Sequence, residues 1–128
     1  MAERSRAGRP LRGKRRRPPK RRARAVLILS AYPRRAAAER AARALVAARL
    51  VACATVTPGG RAFYRWGGTS RADASTLLWG KTSAARARAA VRAILAGHPD
   101  RVPEILVLPV AGGHGPYLEW LDREVRGA

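Results

Sequence analysis

The chain has 128 residues, 47% of them hydrophobic, which is enough for one domain with a packed core. Its 27 lysine and arginine residues against 8 aspartate and glutamate residues give a formal net charge of +19, and its single cysteine excludes an intrachain disulfide or a thiolate metal cluster. The apolar stretches are too short for a secretory signal or a membrane span, so we expect a cytoplasmic protein with no membrane partner.

The basic charge is concentrated at the beginning of the chain. Residues 1–24 contain 12 basic side chains and one acidic side chain among glycines and prolines. Such a segment buries too little surface to offset its ordering entropy, so we predict a disordered tail at 1–24 and one domain at 25–128. The tail suits weak, nonspecific binding to nucleic-acid phosphates, but it has no aromatic residue for base stacking. The alternative interpretation is a solvated tail in an arginine-rich chain.

The first half of the domain predicts a strand, a helix and a long bent strand. The apolar run at 25–29 is typical of a buried strand, and the alanine-rich stretch at 34–49 is typical of a helix. Strand patterns at 50–57 and 61–66 are joined by Pro-Gly-Gly at 58–60, which can bulge one long strand instead of ending it. The small apolar face of the helix is predicted to contain Ala37, Ala41, Ala44, Leu45 and Ala48.

The second half of the domain predicts a strand at 72–82, followed by a helix. Ser83 is expected to cap the start of this helix, and Pro99 prevents it from continuing. A strand at 102–110 and a terminal helix from Pro116 to about residue 125 follow. The side chains predicted to pack from these two helices are Ala87, Val91, Ile94, Leu95, Tyr117, Leu118, Leu121 and Val125.

This order of elements predicts an α+β fold, a ferredoxin-like βαββαβ sandwich with a C-terminal helix. Both main helices then lie on one face of one antiparallel sheet. A sheet with one solvated face has strands of alternating polarity, yet the runs "VLIL", "LLW" and "ILVL" are continuously apolar. The second face therefore needs a cover, and the short terminal helix is too small to provide it alone. Burial against copies of the same chain follows, so the pattern predicts an oligomer.

Motifs that carry chemistry are few. The segment "WGKTS" ends like a phosphate-binding loop, but Ser75 stands where that motif needs glycine, so we reject it. Cys53 lies in an apolar strand and is predicted to be a small buried hydrophobe. Glu104, at the mouth of a buried strand, is expected to need Lys81, an arginine or a backbone donor as its partner. No nucleophile, base and orienting group have a supporting spacing, so we expect no enzymatic activity.

His98 follows the predicted end of the second helix, and two interpretations of it stand. It is either a metal ligand completed by a neighbouring chain or a residue that orients the turn through a backbone hydrogen bond, and the second is favoured. No pair of histidine, cysteine or acidic residues has a metal-ligand spacing that would make a self-contained site.

Five segments together resemble the CutA family of divalent-cation-tolerance proteins. They are "ARLVACATVTPGG", "YRWGG", "LLWGKT", "HPDRVPEILVLPV" and "YLEWL", and the resemblance extends from about Ala25 to Val125. It implies a ferredoxin-like fold related to the PII signalling proteins, a tight homotrimer with clefts between subunits, and an association with tolerance to copper and other divalent metals. Bacterial members are often described as copper-binding.

The resemblance also carries site residues over to this chain. Copper-associated positions of some members fall on Ser30, Gly97 and His98, of which only His98 is a ligand type, and Cu(I) prefers sulfur ligands that Ser30 does not supply. Three further positions depart from the family pattern: Ser75 replaces an acid, and Asp100 and Arg101 replace a tyrosine and a glutamate. The positions that match and are expected to line the cleft are Tyr64, Trp66, Lys81, Glu104, Tyr117 and Trp120; Asp73 and Pro103 also match.

The expected function is that of a non-enzymatic, homotrimeric, CutA-like protein in the response to metal ions. It would bind a divalent metal ion such as copper, with His98 as the candidate ligand, or a small ligand at the clefts between subunits. The alternative is a small nucleic-acid-binding protein that acts through residues 1–24.

Overall fold

The computed structural model describes residues 24–127. The disordered tail is predicted at 1–24, so all of it except Arg24 lies outside the described residues. The elements in chain order are β1 Ala25–Tyr32, α1 Arg35–Ala47, β2 Cys53–Trp66, β3 Thr69–Ser83, α2 Ala84–Gly97, β4 Ile105–Pro109 and α3 Gly115–Val125. Between residues 24 and 127, no helix has both the length and the apolar character needed to cross a membrane.

The four strands form one antiparallel sheet in the order β2-β3-β1-β4. In its centre, Ile28 of β1 lies opposite Gly80 of β3 on one side and Val107 of β4 on the other. The predicted α+β sandwich with a terminal helix is therefore confirmed. One end of the sheet, where Ala25 faces Ser83, is called the α3 end; the other, where Tyr32 faces Thr76, is called the hairpin end.

The core lies between the sheet and the two long helices. Alternate residues of β1 point into it, and Ile28 is fully buried there. Gly80 allows close packing, because a Cβ atom at this position would lie 3.1 Å from Val51 Cγ1. Burial of each large aliphatic side chain in this layer stabilises the fold by roughly 1.5–3 kcal/mol. The buried core residues are Val26, Ile28, Tyr32, Ala38, Leu45, Val51, Leu78, Ala90 and Ile94.

Both long helices begin and end within two residues of the predicted positions, but the predicted buried faces are partly wrong. Ala44 of α1 is exposed whereas Ala38 is buried, because alanine occupies so many positions of this helix that spacing alone does not select a face. In α2, Leu95 is 52% exposed and Ala90 takes the buried position. Ser83 stands at the N-cap of α2 as predicted, although its side chain makes no capping hydrogen bond.

The predicted bulge between the two halves of β2 is confirmed by a shift in register between Thr57 and Gly60. Gly59 has a φ of 87°, and a Cβ atom on Gly60 would lie 2.9 Å from the Ser75 carbonyl oxygen, so glycine is required at both positions. Beyond the bulge, residues 60–75 pair only with each other and form a two-stranded ribbon, which we call the hairpin arm.

The sheet face opposite α1 and α2 is called the open face; it carries Leu27, Leu29, Trp79, Leu106 and Leu108. These side chains adjoin one another, because Leu27 pairs with Leu108 and Leu29 pairs with both Trp79 and Leu106. Helix α3 packs against β3 and β1 but leaves the β4 side uncovered. Leu106 is 51% exposed and Leu108 is 38% exposed. The described chain therefore buries most of the helix side of its sheet, apart from Val107 of β4, which is 46% exposed, and covers the open face only in part.

Candidate functional site

The residues expected to form the site fall into two groups at opposite ends of the sheet. Lys81 lies near the α3 end, where it pairs with Leu27 of β1 and Cys53 of β2. His98 lies at the hairpin end, in hydrogen-bond contact with Ala31. A single subunit thus does not bring all the expected residues into one cleft.

Lys81 is the charged centre of the first group. Its ammonium nitrogen Nζ donates a hydrogen bond to Thr55 Oγ1 at 2.6 Å and lies 3.8 Å from Cys53 Sγ. Within residues 24–127 it forms no ion pair with a carboxylate. Cys53, predicted to be a small buried hydrophobe, is only partly buried, because it points to the side of β2 opposite the core neighbour Ala54. The group therefore presents an uncompensated positive charge beside a hydroxyl and a thiol.

Two aromatic residues of α3 complete this group. Tyr117 and Trp120 are three residues apart on the helix, and their ring centroids lie 5.5 Å apart. Burial raises the pKa of Tyr117, and the neighbouring Cys53 thiol raises it further. The Tyr117 hydroxyl therefore keeps its proton at neutral pH and remains a donor. We call the set Cys53, Thr55, Lys81, Tyr117 and Trp120 the Lys81 cluster.

His98 is fixed within its own subunit by both ring nitrogens. The backbone N–H of Asp100 donates to Nδ1 at 3.0 Å, so Nδ1 carries no proton and Nε2 donates to the Ala31 carbonyl oxygen at 2.8 Å. The side chain is 0% exposed, and its ring stacks on Tyr32 with centroids 4.2 Å apart. These contacts hold the turn after α2 against the end of β1, as the turn-orienting interpretation predicts.

Glu104 lies at the hairpin end, away from Lys81, and solvent reaches it. Its side chain is exposed in the single chain, and the expectation of a protein partner for its carboxylate stays a prediction. Its backbone carbonyl oxygen instead accepts a hydrogen bond from Ser30 Oγ at 2.9 Å. This bond ties the start of β4 to β1.

Tyr64 and Trp66 lie on the hairpin arm. The Tyr64 hydroxyl donates to the Asp73 carboxylate across the two strands, and this hydrogen bond is the main cause that raises the pKa of Tyr64. The negative charge of Asp100 also raises the pKa of Tyr64. The hairpin arm therefore interacts electrostatically with the turn that holds His98. Trp66, beside the turn at Gly67, is 54% exposed.

Comparison with known proteins decides the family. Residues 26–124 match the family model described as CutA1 divalent ion tolerance protein. The chain belongs to the CutA family.

Relatives and solved structures agree with the family model. The divalent-cation tolerance protein CutA of Pectobacterium atrosepticum is 38% identical over 102 residues, which cover 80% of this chain and 93% of the relative. CutA of Xylella fastidiosa superposes with a TM-score of 0.78 at 37% identity, covering 80% of this chain and 99% of that one. CutA1 of Oryza sativa superposes with a TM-score of 0.80 at 32% identity, covering 84% and 98%.

Family membership does not fix the compartment. A CutA structure from Archaeoglobus fulgidus, with a TM-score of 0.77 at 26% identity over 80% of this chain and 99% of its own, is described as periplasmic. The cytoplasmic location of this chain stays a prediction.

The side chains at the copper-associated positions do not fit a resident metal ion. Gly97 supplies no ligand atom, Ser30 Oγ is buried and donates to a carbonyl oxygen, and both nitrogens of His98 are engaged. Among residues 24–127, no group of three or more histidine, cysteine or acidic side chains is placed to hold a metal ion. Metal binding by His98 stays a prediction, and it would require the ring to give up one of its hydrogen bonds.

Sequence reasoning missed Cys53 and Thr55 as the neighbours of Lys81. They are two residues apart and therefore lie on one face of β2, which the alternation of a strand could have indicated. Their pairing with Lys81 depends on the register between β2 and β3, which the bulge sets.

The contacts of His98 predict a structural cost for its removal. We expect His98→Ala to lower the free energy of unfolding by about 1–3 kcal/mol, because the Ala31 carbonyl oxygen loses its donor and Tyr32 loses its stacking partner. Urea denaturation at one protein concentration measures the change. His114→Ala is the matched control, since His114 is exposed and makes no side-chain capping bond, and it should change stability by less than about 0.5 kcal/mol. Equal effects of the two substitutions would contradict the role given to His98.

Proposed function

We propose that this CutA-family chain acts as a homotrimer that captures a small anionic ligand at clefts between its subunits, by binding and not by catalysis. The observation that carries the proposal is the open face of the sheet, where a half-exposed leucine patch continues to the edge strand β4.

The open face favours association with further copies of the chain. Monomeric proteins rarely leave contiguous apolar patches exposed, and an uncovered edge strand with apolar side chains invites pairing. Burying one half-exposed leucine contributes on the order of 1 kcal/mol, so several from each subunit add up to a stable interface. The resemblance to the CutA family implies that three copies associate, and it supports the same conclusion independently.

The Lys81 cluster favours an anion over a metal cation. The Lys81 ammonium repels a divalent cation, and no carboxylate among residues 24–127 neutralises it. Thr55 accepts from Lys81 and so keeps its own hydroxyl proton available as a donor, and the protonated Tyr117 hydroxyl is a second donor. Beside these donors, Trp120 and the Tyr117 ring form an apolar wall. A carboxylate attached to a flat apolar group matches this arrangement.

We propose that Tyr64, Trp66 and Glu104 line the same cleft, but from a neighbouring subunit. Within one chain they lie at the hairpin end and do not contact the Lys81 cluster. A cleft that combines all six expected residues therefore needs the hairpin arm of one subunit to approach the α3 end of another. The exposure of Phe63 and Trp66, at 66% and 54%, supports such a contact for the arm.

Charge on the open face should prevent assembly. We expect Leu106→Asp with Leu108→Asp to convert the oligomer to a monomer, because two carboxylates would be desolvated at each interface. Size-exclusion chromatography measures the change in elution. The control is Val102→Asp, a position outside the sheet that is 67% exposed and should leave elution unchanged. An oligomer that survives the double substitution would place the interface elsewhere.

Removal of the Lys81 charge should abolish anion binding. Benzoate serves as a minimal aromatic carboxylate, and the signal of the Trp120 indole N–H in an NMR titration reports its binding. We expect Lys81→Met to lose the benzoate-dependent shift, whereas Arg88→Met, with the same loss of charge at an exposed position of α2 on the other side of the sheet, should retain it. A shift that persists in Lys81→Met, or is absent from the unmodified chain, would refute the anion site and leave the oligomer unaffected.

A further inference from the structure

The outer surface of the two-helix layer carries four arginines that do not take part in the fold. Arg40 and Arg43 lie on α1, and Arg88 and Arg92 lie on α2; all four are exposed. The helical period places them opposite the buried positions of each helix, such as Ala38 and Ala90, so they point away from the sheet. We call these four residues the helix-layer arginines.

These arginines have no hydrogen bond or ion pair with residues 24–127. The one acid of the two helices, Glu39, is bonded by Arg35 at 2.8 Å, and α2 contains no acidic residue. The Arg35 hydrogen bond is the main cause that lowers the pKa of Glu39, and the charge of Arg43 is a smaller one. The layer therefore keeps a net positive charge.

The arrangement is unfavourable for the chain alone. Arg88 and Arg92 are four residues apart, about 6 Å along the helix, and like charges at this spacing destabilise a helix by about 0.2–0.5 kcal/mol. Packed helices have axes about 8–10 Å apart, comparable to the screening length of about 8 Å at physiological salt, so the four charges reinforce one another. A bound polyanion would reverse the sign of this interaction.

We propose that the helix layer is a docking face for the phosphate backbone of double-helical nucleic acid. Arginine forks bind phosphate oxygens in pairs, and contacts of this kind are independent of base sequence. Neither helix contains an aromatic residue, so the face offers no stacking platform for single-stranded bases. It also offers little insertion surface for a lipid bilayer, because most apolar side chains of both helices pack on the sheet and only Val46 and Leu95, 43% and 52% exposed, stay outside it.

The attachment point of the basic N-terminal segment supports this face. The backbone N–H of Ala84 donates to the carbonyl oxygen of Arg24 at 2.7 Å, so residue 24 is held beside the first turn of α2. Residues 1–24, with their 12 basic side chains, thus join the domain four residues from Arg88.

The experiment compares two variants of the full chain that lose the same charge. In the first, Arg→Gln replaces the helix-layer arginines; in the control, it replaces the exposed residues Arg61, Arg71, Arg101 and Arg123, which lie off the layer. Binding to a fluorescent 20-base-pair duplex is measured by anisotropy over a range of sodium chloride concentrations. We expect the first variant to bind about 10-fold or more weakly, with a log–log salt slope smaller by about 2–4, since each lost phosphate contact removes about 0.9 from the slope.

The control variant should lose less than about 3-fold in affinity and less than about 1 in slope. Equal losses in both variants, or no loss in the first, would overturn the proposal, because binding would then follow the tail or the net charge alone. Vesicles of phosphatidylcholine and phosphatidylglycerol give a further comparison, and dependence of vesicle binding, but not duplex binding, on the helix-layer arginines would also overturn it. Unchanged melting temperatures establish that both variants fold. The double variants Arg40→Gln/Arg43→Gln and Arg88→Gln/Arg92→Gln, which each remove half of the helix-layer arginines, should each show part of the loss in duplex affinity.

Discussion

The structure depends on one constraint: its single sheet is apolar on both faces, and the described chain covers the helix side much more completely than the open face. The central strand β1 sends Val26 and Ile28 into the core beneath the helices and Leu27 and Leu29 to the open face. Neither set can be solvated without cost. The first set fixes the fold, and the second determines what else the protein must contact.

The two faces also separate the two kinds of chemistry. On the helix side, small residues such as Gly80 and Ala90 let the helices pack closely on the sheet, and the charged side chains that face the solvent there are mainly arginines. On the open side, strand alternation puts Lys81 and Thr55 among apolar neighbours, where their charge and hydroxyl remain available to a ligand. A ligand in the cleft and a polyanion on the outer layer would therefore not compete for the same surface.

Periodicity and turn chemistry predicted the order of elements, and Pro58 with its two following glycines predicted the bulge, because both signals are local in the chain. Local signals failed where alanine filled every candidate position, as at Ala38 and Ala44 in α1. They indicated that His98 orients the turn after α2, but they could not identify its distant partner, because the Ala31 carbonyl oxygen lies sixty-seven residues away in the chain. Contacts set by strand register or distant loops require the folded chain, so the site was less predictable than the fold.

The most direct test of this account is the mass of the unmodified chain in solution. Multi-angle light scattering during serial dilution into the micromolar range should give about three times the chain mass of 13.9 kDa at every concentration, because the open face stays buried between subunits. A compact, stable species of one chain mass across that range would contradict the account, since the leucines of the open face would then be exposed without a partner.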